Sequence, residues 1–386
     1  MSKILEVEDL VLRFYTYEGV VKALEGVSFY IKDGNTLGLV GETGCGKTMT
    51  SLSVLDLIPS PGRIEGGKVL FRSQSKPMDI LKEKETVKMK IRGKDISMVF
   101  QEPASALNPV FNAGEQISEV ILKHRRKELT ESVLEKLEKD IETKGQGSLK
   151  GRIYRLERKI YKKTLKNPNS ISLKLLSRIP LINRYKGRIN TEAKKSAIRT
   201  LRELEIPDPE RVVDMYPHEL SGGMQQRVVI AMALACNPFL LIADEPTTSL
   251  DVTIQAGVLE LIKTLKSKFH SSVLFVTHDM GIIAEMCDRV AVMYAGTVCE
   301  VADVFEIFKN PLHPYAKGLL ESIPRPGKEF KSIPGTVPSL IEPPPGCRFH
   351  PRCSYAMEVC TRISPQIAEV KKEHFVACHL FTGSPK

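Results

Sequence analysis

No apolar run in the 386 residues is long enough to cross a bilayer. The longest, Val228–Ala235 continued by Phe239–Ala243, is interrupted by Asn237 and Pro238, whereas a spanning helix takes about 20 apolar residues. No targeting leader is expected at the start, because Met1–Leu10 carries Glu6, Glu8 and Asp9 in place of a basic and then apolar stretch. Any membrane role is therefore expected to be peripheral, through a partner. There is no internal repeat, and no C-x-x-C pair of the kind zinc ribbons favour. No aromatic–basic recognition module is visible, so no nucleic-acid partner is expected. The net charge of +10 does not belong to the chain as a whole. Residues 125–195 hold 21 Lys/Arg and 8 Asp/Glu, a balance of +13, which leaves −3 for everything else.

What is present reads as an α/β chain. Residues 4–15 and 20–32 alternate as antiparallel strands, and Thr36–Val40 is a short buried strand. A helix is expected from Lys47 to Leu57, ended by Pro59, Pro61 and Gly62. Strands are expected at Lys68–Phe71, Asp95–Phe100, Phe239–Ala243, Ser272–Thr277, Arg289–Tyr294 and Thr297–Val301, the last two a hairpin across Gly296. Residues 112–205 read as largely helical. Further helices are expected over Gly222–Ala235 and residues 252–268. Beyond Lys309 the chain is rich in Pro and Gly.

Gly41-Glu42-Thr43-Gly44-Cys45-Gly46-Lys47-Thr48 fits G-x-x-x-x-G-K-[ST] between a strand and a helix, the context that validates a phosphate-binding loop. Its glycines let backbone N–H groups turn to an anion, and the helix start adds partial positive charge. Lys47 is placed to reach the β- and γ-phosphates of ATP, and Thr48 to hold Mg²⁺. The strand Phe239–Ala243 ends in Asp244 and Glu245. Asp244 suits the Mg²⁺ shell, and Glu245 the polarisation of an attacking water. Ser221-Gly222-Gly223 opens a helix and offers a second anion site. A chain that already has one cradle has use for a second if that one serves ATP held by another subunit. His278, after the strand Val273–Thr277, is placed to bond the γ-phosphate and the water.

These elements, with Gln101 after an apolar strand and Ser249-Leu250-Asp251, occur in the order found in ABC ATPases, which the chain resembles. The resemblance implies a P-loop nucleotide-binding domain with an antiparallel β subdomain and a helical subdomain. It also implies a head-to-tail dimer that sandwiches two ATP molecules, each between one P-loop and the opposing signature. Gln101 would sense Mg²⁺ and couple to a membrane subunit. Asp251 would contact the opposing P-loop. An upstream aromatic, Tyr17 or Tyr15, would stack on adenine. Tyr216-Pro217-His218-Glu219, Ala243–Thr248, His313-Pro314-Tyr315 and the C-terminal cysteines resemble the ATPases of oligopeptide/dipeptide importers. On that resemblance residues 1–310 form the ATPase domain, with a helical subdomain at about 102–235, and residues 311–386 a Cys-rich extension. The partners implied are a second, homologous but different ATPase chain, two integral membrane permease subunits and, indirectly, an extracytoplasmic solute-binding protein. The place implied is the cytoplasmic face of the membrane. Peptides are the expected solute, with oligosaccharides or metal chelates as alternatives. A soluble ABC ATPase of translation or repair is disfavoured by the single P-loop and single signature. An iron–sulfur redox protein is disfavoured by the full hydrolytic set, and an exporter by the cysteine tail. Cys45 stands where the family usually has serine. It is expected to permit catalysis but to expose the loop to oxidants.

Cys347, Cys353, Cys360 and Cys378 fall close together near the C-terminus. Their spacing does not choose between zinc and an iron–sulfur cluster. The resemblance points to a 4Fe–4S cluster, expected as a structural staple for a thin-cored tail. The insert at about 126–190 has no counterpart in the family pattern. Ser148–Leu165 and Ile171–Ile182 interleave Leu, Ile and Tyr with Lys and Arg. That reads either as a solvated helical pair or as a surface for anionic lipid headgroups or a membrane subunit.

Overall fold

The computed structural model describes residues 2–73, 77–143, 149–166, 180–248, 251–324 and 332–382. They fall into two compact units, residues 1–101 with 237–386, and residues 102–236.

The first unit is built on a sheet whose central strands have no solvent face. β3 (Thr36–Val40), β7 (Leu240–Asp244), β8 (Ser272–Thr277) and β9 (Arg289–Tyr294) are buried at every position, so they read as continuous apolar runs, as parallel strands covered on both faces must. With β6 (Ile96–Val99), β10 (Thr297–Asp303), β11 (Ala368–Lys371) and β12 (His374–Val376) they form eight strands in the order β11-β12-β10-β9-β3-β8-β7-β6. The β9-β3-β8-β7-β6 part is parallel, while β10, β12 and β11 add antiparallel. A second, antiparallel sheet runs β2-β1-β4-β5, from β1 (Lys3–Thr16), β2 (Gly19–Lys32), β4 (Gly62–Phe71) and β5 (Met78–Asp79). Leu5, Leu10, Leu12 and Leu24 of this sheet join Leu37, Leu39, Leu240 and Leu274 of the first in one core.

Three local departures from expectation have physical causes. The helix after the P-loop is Lys47–Val54. It stops short of Leu57 because Asp56 takes a left-handed conformation, φ 50°, which ends a helix. β4 begins six residues before Lys68, at Gly62. Its Gly66-Gly67 crosses β1 at a register shift between Glu8 and Val11, and a Cβ on Gly67 would lie 2.6 Å from the Glu8 carbonyl oxygen. A bulge there removes the alternation that marks a strand. β11 and β12 lie in the Pro-rich tail, where no strand was expected. They are short, and they are fixed from a distance by the pairs Glu300↔Val376 and Val301↔Phe375.

The second unit is helical, with helices Ala113–His124, Arg126–Thr143, Leu149–Lys166, Pro180–Glu203 and Gly222–Leu234. Asn112 starts the first with a reciprocal cap, accepting from the Glu115 amide at 2.8 Å while the Glu115 carboxylate accepts from the Asn112 amide at 3.0 Å. In the basic insert, Leu137 and Tyr161 are fully buried, as are Ala193 and Ala197 just beyond it. Its charges partly pair with one another: Lys162 with Glu138 at 3.1 Å, Arg188 with Glu157 at 2.9 Å, and Lys136 with Glu192. Arg152, Lys159 and Lys163 lie on the exposed face of the helix Leu149–Lys166. Ile153 and Leu156 remain exposed on it. Of the stretch Ile171–Ile182, only the backbone of 180–182 lies within the described residues. Among the described residues no helix is long and apolar enough to cross a membrane.

Candidate nucleotide site

Sheet register gathers the expected residues of the first unit at one edge. Val40 pairs with Thr277, Asp244 with Val276, and Val99 with Ala243. The residues that follow these strands, Gly41, His278, Glu245 and Gln101, therefore leave the sheet side by side at its carboxyl end, where open α/β sheets bind ligands.

The P-loop is shaped by contacts only glycine allows. A Cβ on Gly41 would lie 2.2 Å from the Met293 carbonyl oxygen, and one on Gly46, at φ 100°, would lie 2.8 Å from Leu24. Lys47 is buried, and its ammonium donates to the carbonyls of Gly41 at 2.8 Å and Glu42 at 3.1 Å. Thr48 Oγ1 donates to Asp244 Oδ1 at 3.3 Å. Burial, helped by the neighbouring Glu245 charge, pushes the Asp244 carboxyl up to about 6 against the pull of Thr48 and Lys47.

Three side chains converge on Glu245. Gln101 Nε2 donates to Oε2 at 3.0 Å and Thr248 Oγ1 to the same oxygen at 2.9 Å, while His278 Nδ1 lies 3.1 Å from Oε1. Burial alone would raise this carboxyl. The bonds from His278 and Thr248, with the nearby His278 and Lys47 charges, hold it below the ordinary range instead. A carboxylate accepts about four hydrogen bonds. Among the described residues, these three contacts leave one lone pair free, on Oε1. Glu245 also sits at φ 47°, a conformation that costs a non-glycine residue about 1–3 kcal/mol. Thr248 was not singled out from the sequence, although its place three residues on, in a turn closed by Thr248 N→Glu245 O at 3.1 Å, is a signal that could have found it.

The family model described as ABC transporter matches residues 24–248, and the one described as oligopeptide/dipeptide transporter, C-terminal region, matches residues 299–360. The chain belongs to the ABC transporter family. As a member it is an ABC-type ATPase. Among its relatives are the oligopeptide transport ATP-binding protein OppD of Bacillus subtilis, 42% identical over 97% of this chain and 88% of that protein, and the dipeptide transport ATP-binding protein DppD of the same organism, 40% identical over 98% and 95%. A probable peptide ABC transporter ATP-binding protein of Sinorhizobium fredii is 40% identical over 97% and 94%. The ATP-binding cassette MJ0796, in a dimeric post-hydrolysis state with ADP and Pi, shares the fold at TM-score 0.53 and 22% identity, over 78% of this chain and 98% of that one.

The remaining ABC elements are placed as follows. Ser221 caps the helix Gly222–Leu234, accepting from the Met224 amide at 3.4 Å. Ser221 and Gly222 are exposed and Gly223 is buried. Asp251 caps the helix Val252–Phe269 through the Ile254 amide at 2.9 Å, while Ser249 and Leu250 lie outside the described residues. Of the two aromatic candidates, Tyr15 spends its hydroxyl on Glu65. Tyr17, at the tip of the β1–β2 hairpin, is fully exposed.

Cys45 corrects one expectation. It is wholly buried, and burial raises its thiol above the usual range, so it is neither exposed nor a thiolate, the two conditions for oxidant sensitivity. Iodoacetamide is expected to label Cys45 only after denaturation, as read by mass spectrometry. Labelling of the native protein at the rate of a free thiol would contradict this.

Cys347, Cys353, Cys360 and Cys378 do line one pocket, beside His350 and His379. Burial and the neighbouring cysteines push the Cys347 thiol up to about 11, and burial raises Cys353 and Cys378 as well. Among the described residues, however, no group of three or more His, Cys, Asp or Glu side chains is arranged to hold a metal ion. The expected ligand set is thus a shared cavity of thiols and not a formed ligand shell.

Proposed function

We propose that this chain is the ATP-hydrolysing subunit of a peptide importer, working at the cytoplasmic face of the membrane. The observation that carries it is the convergence of Gln101, Thr248 and His278 on the ionised Glu245 beside Lys47, Thr48 and Asp244, in a chain about as long as peptide-transport relatives near 40% identity. In this reading Lys47 leaves its two carbonyls for the β- and γ-phosphates, and the amides of Gly44–Thr48 cradle them. Thr48 and Asp244, with Gln101, would hold Mg²⁺, which would supply neutralisation of phosphate charge. The free Oε1 lone pair of Glu245 takes the proton of the attacking water, and His278 fixes that oxygen. Asp251 and the Ser221–Gly223 helix start serve the site of a second, homologous ATPase subunit. Tyr17 stacks on adenine. Two permease subunits turn closure and opening into transport, fed by an extracytoplasmic solute-binding protein. Residues 1–310 act as the ATPase domain and 311–386 as its extension.

The four cysteines fit a 4Fe–4S cluster by donor chemistry, since four soft sulfurs share one buried pocket. Such a group would supply covalent cross-bracing of the tail. The reading as a whole is tested by reconstituting the chain with its partner subunits and measuring ATP turnover and uptake. Short peptides are expected to stimulate both. Stimulation by oligosaccharides or metal chelates and not by peptides would overturn the choice of solute.

A further inference from the structure

Glu42, the second residue of the P-loop, is gripped by residues from the far end of the chain. The Arg352 guanidinium meets its carboxylate in a fork, Nη1 to Oε2 at 2.8 Å and Nη2 to Oε1 at 3.1 Å. Nη1 also donates to Tyr294 Oη at 3.3 Å, Nη2 to the Ile333 carbonyl at 3.4 Å and Nε to the Pro334 carbonyl at 2.8 Å. All five guanidinium donors are thus committed, and the Arg352 side chain is only 5% exposed. The Glu42 backbone is held as well, its amide donating to the hydroxyl of the buried Tyr315 at 2.9 Å. Next to the same loop, Arg348 donates to the Ala295 carbonyl and pairs with Glu25 at 3.0 Å, while the amide of Gly296 bonds the Cys45 carbonyl at 2.9 Å. Arg348 and Arg352 both come from the segment Cys347–Cys353.

The chemistry at stake is competition for Lys47. Its ammonium already rests on the carbonyls of Gly41 and Glu42. A Glu42 carboxylate without a counter-ion would be a rival anion within the loop that has to bind phosphate, attracting Lys47 and repelling the nucleotide. We propose that Arg352 is a positioning residue of the ATP site: it holds the Glu42 carboxylate away from Lys47, so that the cysteine-bearing loop of the tail sets nucleotide affinity. This rests on the reading of Gly41–Thr48 as the phosphate cradle.

The test is MgATP affinity by titration calorimetry, with steady-state ATPase kinetics, on the full chain. Arg352→Gln is expected to weaken ATP binding about tenfold, the scale of one charge-assisted fork, with kcat changed less than about twofold. Glu42→Gln added to it removes the rival anion and is expected to recover most of the lost affinity. A purely structural role does not predict that recovery. Arg352→Lys, a single ammonium in place of a fork, is expected to fall between the parent and Arg352→Gln. Arg362→Gln, on the exposed pair with Glu358, is the control expected to bind as the parent does. Parental affinity in Arg352→Gln, or a double variant no better than that single, overturns the proposal. Should Arg352→Gln not fold, parental affinity in Arg352→Lys does so. Failure of the cradle reading itself is a separate outcome, because the parent would then not bind ATP.

Discussion

Glu245→Gln is expected to bind MgATP as the parent does and to hydrolyse it about 10²–10⁴-fold more slowly, the contribution of a positioned general base. The substitution is nearly isosteric. Its amide oxygen can keep the bonds now given to Oε2 by Gln101 and Thr248, while its NH₂ can face His278 Nδ1 if the ring changes tautomer. The network and the fold therefore survive. What is lost is the lone pair on Oε1 that the contacts among the described residues leave unoccupied, where the proton of water would go. The variant also loses a negative charge that His278, Thr248 and the nearby Lys47 keep ionised against burial and that would otherwise repel the γ-phosphate. ATP-loaded subunits should consequently stay closed on one another, and size-exclusion chromatography with and without ATP should show an ATP-dependent shift that outlasts many parental turnovers. Parental ATPase activity in Glu245→Gln would remove Glu245 from the role of base.

The parts of this site that were legible in the sequence are those in which one short segment supplies both the residue and its placement. Lys47 and Thr48 come with their strand and helix. Asp244 and Glu245 come at the end of a buried strand. β3 and β8 were expected at the bounds at which they occur, because a strand buried on both faces is a plain apolar run. What stayed hidden depends on pairs far apart in the chain. Arg352 and Glu42 are separated by 310 positions, and neither has a local pattern that calls for the other. Glu300 is similar. It is fully buried and accepts from the Leu312 and His313 amides at 2.9 and 2.7 Å, and it meets His374 at 2.7 Å. One carboxylate thereby ties the start of the tail to β12, although in sequence it reads as the polar position of an alternating strand. The tail looked like an appendage because its core residues are few. In the fold it completes the edge of the main sheet and reaches the P-loop.

Lys47→Ala is expected to fail at an earlier step than Glu245→Gln, and the contrast between the two separates binding from chemistry. Lys47 is a buried cation that the surroundings satisfy with carbonyl oxygens and, at 4.0 Å, the Cys45 sulfur. Partial charges of this kind hold an ammonium without neutralising it, so its full charge remains available to phosphate. Truncation removes that charge and leaves the Gly41 and Glu42 carbonyls without their donor. The loss of an electrostatic contact made to the transferring phosphoryl group is expected to lower kcat about 10²–10³-fold. Affinity for ATP should fall with it, because the same ammonium serves the bound nucleotide before the reaction as well as during it. Titration calorimetry should accordingly show weakened MgATP binding in Lys47→Ala and parental binding in Glu245→Gln. The ATP-dependent shift on size exclusion should appear only in the latter. A Lys47→Ala protein with parental turnover would contradict the phosphate-binding role of Gly41–Thr48, and with it every step assigned to the residues around Glu245.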